Sequence, residues 1–425
     1  MKQSNPFLKS KFVVFFETAY LITLLLLVLL FGRAAQGVFV GNVRIAEILF
    51  VVLIIFTFLH LKLDLKKFSL ANIYTCFFVF FIFLSIIGGF NFPDSFRYSS
   101  FVFSFTVYLV LENIFESNKS GLNVFSYFIF YTSNLSIILF VLNIIFNGGL
   151  LNNLFFNISD KPTSFIKPSE IAVVVVFTLF FIIYILENKY IVYVSIAIVG
   201  SSIPIIIYFS RGATLGLLFG IIVIYYFAKN KSEVIKLFCY IFIFSLFSFL
   251  YITPSLNNDD PNSIFKDFKV SQIVIEDYDK PNLNCENDTF NISLSTDDGN
   301  INWRLWVLED IVNCTTVDMK KFLIGYGFNN PIVPMETPLR SGYDGLNIHP
   351  HNFFLTVFYR MGLVGLVFII LIFLLIFKKT KYLLFSPSLI AFIIVGSFGV
   401  VFEGFTQLVF WIYIYIENNF RLASS

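Results

Sequence analysis

Apolar runs of membrane-crossing length recur along this chain, separated by short polar joints and one long hydrophilic stretch. A helix crosses the hydrocarbon core in about 20 residues. The runs are continuous rather than alternating, which reads as helices and not as a barrel. Spans are expected near residues 12–32, 45–61, 73–90, 98–115, 124–147, 171–186, 190–208, 212–228, 234–253, 352–377, 384–402 and 405–418, about twelve in all. The first run is followed by many others, so it reads as a spanning helix and not as a cleaved signal peptide. The hydrophilic interruption extends from about Pro254 to Pro350, and its mixed composition suits a small folded cap better than a tether. The layout is therefore nine spans in residues 1–253, a large loop in 254–350 and three spans in 351–425. Within the loop, "NWRLWVLEDIV" (Asn302–Val312) places Trp303, Trp306, Val307 and Ile311 on one helical face. That pattern predicts an amphipathic helix lying at the membrane interface or on the bundle.

Composition turns this pattern into a class. The 425 residues are 57% hydrophobic and only 13% charged, against roughly 25% charged in soluble domains. This is an all-α integral membrane protein. A net charge of +2 makes no case for a nucleic-acid partner.

The lysines then set the orientation, since cytoplasmic loops carry the excess of positive charge. Lys2, Lys9 and Lys11 precede the first span; Lys62, Lys66 and Lys67 follow the second; Lys229, Lys231 and Lys236 follow the eighth; Lys378, Lys379 and Lys381 follow the tenth. All fall on one side if the number of spans is even. Both termini are then cytoplasmic, and the large loop lies outside. Cys76 and Cys239 are placed inside spans as packing residues. Cys285 and Cys314 share the outer loop, where an oxidising compartment allows a disulfide, two free thiols being the alternative.

Few residues are candidates for chemistry. "NIHPHNFFLTVFYRMGLVGLVF" (Asn347–Phe368) holds two of the three histidines, at the outer lip of a span. Read as a continuous helix, it aligns His351, Leu355, Phe358, Gly362 and Gly365, a face whose lower part is small enough for another helix to approach. "SRGATLGLLFG" (Ser210–Gly220) begins with Arg211 at the outer end of a span. That guanidinium either snorkels to lipid headgroups or binds a phosphate bidentately. Arg360 lies inside the tenth span, where a charge requires a partner or a cavity. It either pairs with an intramembrane carboxylate such as Glu17, Glu170 or Glu403, or serves catalysis. Arg304, beside two tryptophans, either reaches an anionic headgroup or caps the interface. His60 is an interfacial residue at the other end of the bundle. No Walker loop, dinucleotide glycine motif or HExxH occurs, and the first outer loop, "GRAAQGVFVGNVR", has no acidic residue with which to hold a metal.

The combination resembles the bacterial O-antigen polymerase and ligase superfamily. Two of that family's motifs stand here: Arg-x3-Leu at Arg211 and Leu215, and His-Asn-x9-Gly-x-x-Gly at His351, Asn352, Gly362 and Gly365. Leu366 follows the last glycine, where Thr or Val is common. "FLIGYGF" (Phe322–Phe328) resembles the family's Gly-x-Gly turn ahead of the histidine. The resemblance implies a GT-C-like membrane glycosyltransferase in the bacterial inner membrane, with the large loop periplasmic. It would work without a metal or other cofactor on sugars carried by undecaprenyl pyrophosphate, the donor and acceptor both being lipid-linked oligosaccharides. It further implies His351 as general base, with Arg211, Arg304, His349, Asn352 and Arg360 on the substrates. Membrane lipid and a chain-length regulator protein are the other partners implied. A polymerase joins repeat units on the carrier lipid, whereas a ligase passes the finished chain to lipid A core. The lean towards Phe, 59 in number, suits the polymerases, whose genes are often AT-rich. A twelve-span flippase is the reading from another class; it would carry charges along a central pathway and no folded outer loop.

The orientation is directly testable. Reporter fusions after Lys231 and Lys379 are expected to read cytoplasmic, and one near Asn300 periplasmic. A cytoplasmic signal at Asn300 would overturn the sidedness and the reaction inferred from it.

Overall fold

The computed structural model describes residues 18–24, 26, 39–40, 43–60, 69–88, 99–115, 119–145, 168–184, 186–256, 299–316, 318–328, 333–334, 346–347, 352–379, 386–398 and 406–424. Apart from two pairs of two-residue strands, Phe39–Val40 with Val43–Arg44 and Val333–Pro334 with Leu346–Asn347, its regular structure is helical. The helices are α1 (Ile45–His60), α2 (Leu70–Ile87), α3 (Ser100–Phe103), α4 (Thr106–Phe115), α5 (Lys119–Ile145), α6 (Pro168–Tyr184) and α7 (Lys189–Phe209). There follow α8 (Arg211–Phe227), α9 (Lys231–Leu256), α10 (Gly299–Thr316), α11 (Met319–Ile324), α12 (Phe353–Lys379), α13 (Pro387–Phe398) and α14 (Thr406–Ser424). Five of them, α2, α5, α7, α9 and α12, are long and apolar enough to cross a membrane. Most of the expected spans after the first therefore contain a helix, with ends displaced by a few residues. The first, 12–32, lies largely outside the described residues.

Two helices form the centre. α6 is buried without interruption from Glu170 to Ile182, and α14 from Gln407 to Asn418. Tyr413 stacks on Phe177 with ring centroids 3.9 Å apart, joining the two. Phe392 of α13 stacks on Phe410 of α14 at 3.8 Å. α5, α7, α8 and α13 pack around α6, while α4 and α13 pack on α14. α12 packs on α2 along one side. α9 packs on α7 and leaves Phe247 and Leu250 exposed, as a lipid-facing helix does. Cys76 and Cys239 are exposed too, so they sit on outer helix faces instead of packing within the bundle.

Several polar groups on α14 have partners on neighbouring elements. The Ser133 hydroxyl and Tyr413 Oη are 2.8 Å apart. The Glu417 carboxylate is fully buried and accepts from the hydroxyls of Ser386 and Ser388, the latter at 2.5 Å, at the start of α13. The beginning of a helix carries the positive end of its dipole, which suits a carboxylate.

The expected single span over 98–115 is in fact two helices. The chain leaves the helical path at Ser104 and Phe105. There the Ser104 hydroxyl donates to Gln407 Oε1 at 3.0 Å and accepts from Trp411 Nε1 at 3.1 Å. A second irregularity lies in α7, where Pro204 has no amide to give the carbonyl of Gly200. The Ser245 hydroxyl of α9 lies 3.0 Å from that carbonyl and 2.8 Å from the carbonyl of Ile241 in its own helix, so its one hydrogen is shared between the two. It reaches because Gly200 lets the helices close; a Cβ there would stand 2.6 Å from Phe244 Cβ.

Candidate functional site

The glycine motifs meet where α12 is broken. Gly362 has φ 61° and ψ −160° inside α12, and Gly325, at the end of α11, has φ 73° and ψ −167°. This corner of backbone space is essentially restricted to glycine. In an unbroken helix the amides of Leu363 and Val364 would bond the carbonyls of Tyr359 and Arg360. At the break these carbonyls receive amides from the Gly-x-Gly turn, Tyr326 N to Tyr359 O at 2.8 Å and Gly327 N to Arg360 O at 3.0 Å. The backbones approach so closely that a Cβ on Gly325 would lie 2.6 Å from Met361 N. One on Gly362 would lie 2.5 Å from Leu323 O. The helix α12 is therefore not the continuous rod the sequence suggests. The backbone close to Gly362 is that of α11, not another spanning helix.

Side chains reinforce this clasp. Phe328, directly after the turn, is fully buried and meets Phe81 edge-on at 5.0 Å, with Phe101 at 6.2 Å. Tyr326 stacks on Tyr359 at 4.7 Å with the rings 7° from parallel. Lys321 Nζ stands 4.7 Å over the Tyr326 ring, and the Arg360 guanidinium 5.7 Å from the Tyr359 ring. Two cations thus bracket a pair of stacked rings. Tyr326 Oη donates to the carbonyl of Cys314 at 2.8 Å, fixing the end of α10. The amphipathic helix itself rests on α12: Val307 and Ile311, buried as their spacing predicted, pack against Tyr359. The side chains of Trp303, Trp306 and Arg304 lie outside the described part, although the backbone of all three is in α10.

Asn352 starts α12. Its Oδ1 accepts from Leu355 N at 3.1 Å and its Nδ2 donates to the carbonyl of Ser397 at 3.0 Å. Within the protein one polar atom of this residue acts as a helix cap and the other as a tie to α13. Arg360 is fully buried, and its Nη1 donates to the carbonyl of Gly327 at 3.2 Å. The carboxylates Glu17 and Glu403, considered as its partners, lie outside the described residues.

Arg211 is the first residue of α8 and is exposed. A single extended residue, Ser210, separates α7 from α8, and its hydroxyl accepts from Ala213 N at 3.2 Å. Gly216, about 7.5 Å further along the helix axis, lies against Ala391 and Val395 of α13; a Cβ there would stand 3.1 Å from Ala391 O. α13 is thus shared by the helix that starts at Arg211 and, through Ser397, the helix that starts after Asn352. His349, His351 and Cys285 lie outside the described residues. Cys314 is disulfide-bonded, whereas Cys76 and Cys239 are free.

Sequence reasoning missed Lys321, Tyr326, Tyr359 and Ser397. The aromatic immediately before Arg360 and the one between the two turn glycines were the available signals for the stacked pair. Nothing in the sequence marks a carbonyl such as that of Ser397.

These features define a helical membrane protein in which an amphipathic helix and a glycine turn are clasped onto a broken span. Residues 196–370, from α7 through the first part of α12, match the family model described as O-antigen ligase. The matched segment includes Arg211, Leu215, the Gly325–Gly327 turn, Gly362 and Gly365. It supports the O-antigen polymerase and ligase superfamily, whose members are glycosyltransferase-like enzymes. No curated protein matches the chain.

The clasp gives a stability test. Gly362→Ala and Gly325→Ala are each expected to cost about 1–3 kcal/mol from backbone strain alone, read as a lowered melting temperature of the purified protein in detergent. Gly396→Ala is the control, because its Cβ would meet Phe353 Cβ at an ordinary 3.5 Å. Equal melting of Gly362→Ala and the parent would remove the break from the account.

Proposed function

We propose that this protein is an O-antigen polymerase of the bacterial inner membrane. In this reading it has about twelve spans, a GT-C-like architecture and a periplasmic loop over residues 254–350. It joins repeat units carried on undecaprenyl pyrophosphate without a metal. The observation that carries the transfer reaction is the family match over 196–370, which takes in both motifs; the choice of polymerase over ligase rests on the phenylalanine-rich composition. Its support in the geometry is α13, which links the helix beginning at Arg211 to the one beginning after Asn352.

The chemistry follows from the charges involved. His351 removes the proton of an acceptor sugar hydroxyl, a task suited to a group that titrates near neutrality. The hydroxyl oxygen attacks the anomeric carbon of the donor sugar, the bond from that carbon to the pyrophosphate oxygen breaks, and undecaprenyl pyrophosphate leaves. Arg211, with Arg304, stabilises the charge gathering on the pyrophosphate. His349 is a second contact to the sugar. Asn352 caps the helix next to His351 and so holds the base in place, while Arg360 secures the turn. Cys285 is the proposed partner of Cys314, a bond that would staple the outer loop to α10.

A ligase is the second reading, favoured by the description of the matching family. The lipopolysaccharide of a deletion strain separates the two: core bearing one repeat unit marks a lost polymerase, bare core a lost ligase.

Mass spectrometry of unreduced loop peptides is expected to find Cys285 linked to Cys314; two freely alkylated thiols would dispose of that bond. In a strain lacking the native gene, His351→Ala is expected to abolish chain extension at normal protein levels, since a general base contributes about 10²–10⁴-fold in rate. Arg211→Ala is expected to cripple extension, with Arg211→Lys recovering part of it, and His349→Ala to be milder. Long polymer from the His351→Ala strain would falsify the mechanism.

A further inference from the structure

α11 belongs to the hydrophilic loop, yet it turns apolar residues outward. Met319 is 70% exposed and Leu323 39%. Four residues apart, they share one side of the helix. The opposite side is engaged: Phe322 meets Phe358 of α12 edge-on at 5.9 Å, Lys321 stands over Tyr326, and Ile324 packs on the main core. Met319 and Leu323 therefore form an apolar ledge left open among the described residues. Two neighbouring helices mark its depth. Along α12 no residue from Asn352 to Gly362 is exposed, and the exposed apolar side chains begin at Leu363 and recur at Val367, Ile370 and Leu374. On a helix long and apolar enough to cross the membrane, such a stripe faces lipid. The matching stripe of α2 runs through Val79, Phe83 and Ile86 and stops with the helix at Ile87. The clasp brings both limits to the ledge. A Cβ on Gly362 would lie 2.4 Å from the carbonyl carbon of Leu323, and one on Gly327 would lie 3.6 Å from the carbonyl oxygen of Leu84. Leu323 thus stands beside the start of one lipid-facing stripe, and the turn that follows it stands about one helical turn from the end of the other.

We propose that α11 is an interfacial anchor whose partner is the bilayer itself. Met319 and Leu323 enter the edge of the hydrocarbon on the side of the large loop, as the apolar face of a surface-lying helix does. Lys320, exposed on the flank of the same face, extends its ammonium to the headgroups. A protein partner would have to cover the ledge yet leave the stripes of α12 and α2 that run into it, whereas lipid covers all three without a break. The anchor ties the Gly325–Gly327 turn, and through it the break in α12, to a fixed depth in the membrane. This inference is independent of the transfer reaction and does not involve His351 or Arg211.

Nitroxide labelling of the full-length protein tests it, in vesicles of phosphatidylethanolamine and phosphatidylglycerol. Cys76→Ser and Cys239→Ser first remove the free exposed thiols, while Cys314 stays in its disulfide. Met319→Cys, Leu323→Cys and Leu363→Cys are then labelled one at a time. Glu187→Cys, at an exposed position in the polar joint between α6 and α7, is the aqueous reference. Molecular oxygen concentrates in hydrocarbon and a nickel chelate in water. The labels replacing Met319 and Leu323 are expected to relax more with oxygen than with nickel, as the one replacing Leu363 does, and the one replacing Glu187 to do the reverse. A stronger response to nickel at the two ledge positions would place them in water. Loss of response to both reagents would place them under protein, a second copy or another part of the loop. Either result would overturn the proposal.

Discussion

Hydrocarbon offers no water to a backbone carbonyl, so a helix that departs from regularity inside a membrane must find a donor elsewhere in the protein. The described chain departs in three places, and two of them are answered by a different element. The Ser245 hydroxyl reaches the Gly200 carbonyl that Pro204 cannot serve. At Gly362 the donors are main-chain amides of the turn at Tyr326 and Gly327. Where α3 gives way to α4, the carbonyls of Ser104 and Phe105 are met locally by the amides of Val107 and Tyr108, and Gln407 and Trp411 of α14 hold the Ser104 side chain. An unsatisfied group in lipid costs several kcal/mol, so such contacts decide which elements must be neighbours. The packing of α9 on α7 and of α11 on α12 can each be read as the answer to one local irregularity.

That constraint also ties the hydrophilic loop to the bundle. The segment from Gly299 to Phe328 does more than rest on the membrane domain, because it completes the backbone bonding of α12. Tyr359 is contacted from both sides, by the apolar face of α10 and by the ring of Tyr326. A change of registration in the loop would therefore be felt at the head of α12, a few residues from Asn352.

How far the sequence foretold this depends on the kind of information required. Apolar length is local, so the helices of the expected spans were legible, as were the face of Val307 and Ile311 and the turn at Gly325 and Gly327. Burial is not local. α6 is as apolar as its neighbours and α14 is less so, yet both are enclosed, so apolarity alone does not distinguish a central helix from a lipid-facing one; Cys76 and Cys239 were misplaced for the same reason. The break at Gly362 was hidden because glycine is equally consistent with close helix packing. A polar side chain in a span asks for a partner, but for Asn352 and Arg360 the sequence does not say which: the carbonyls of Ser397 and Gly327, which they reach, are main-chain atoms that carry no signature in the side-chain sequence.

The burial of α14 has a consequence for assembly. Synthesis delivers helices in order from the N-terminus, so the helix enclosed on all sides from Gln407 to Asn418 emerges after every other described one. It carries Glu417 and Asn418, side chains that enter lipid only at a cost. The earlier helices must then stand around an unfilled channel, with Ser104, Ser133, Ser386 and Ser388 still awaiting their partners. The bundle is closed from within by its last arrival, and a ribosome that stalls before residue 406 leaves behind a membrane-inserted shell without its axle.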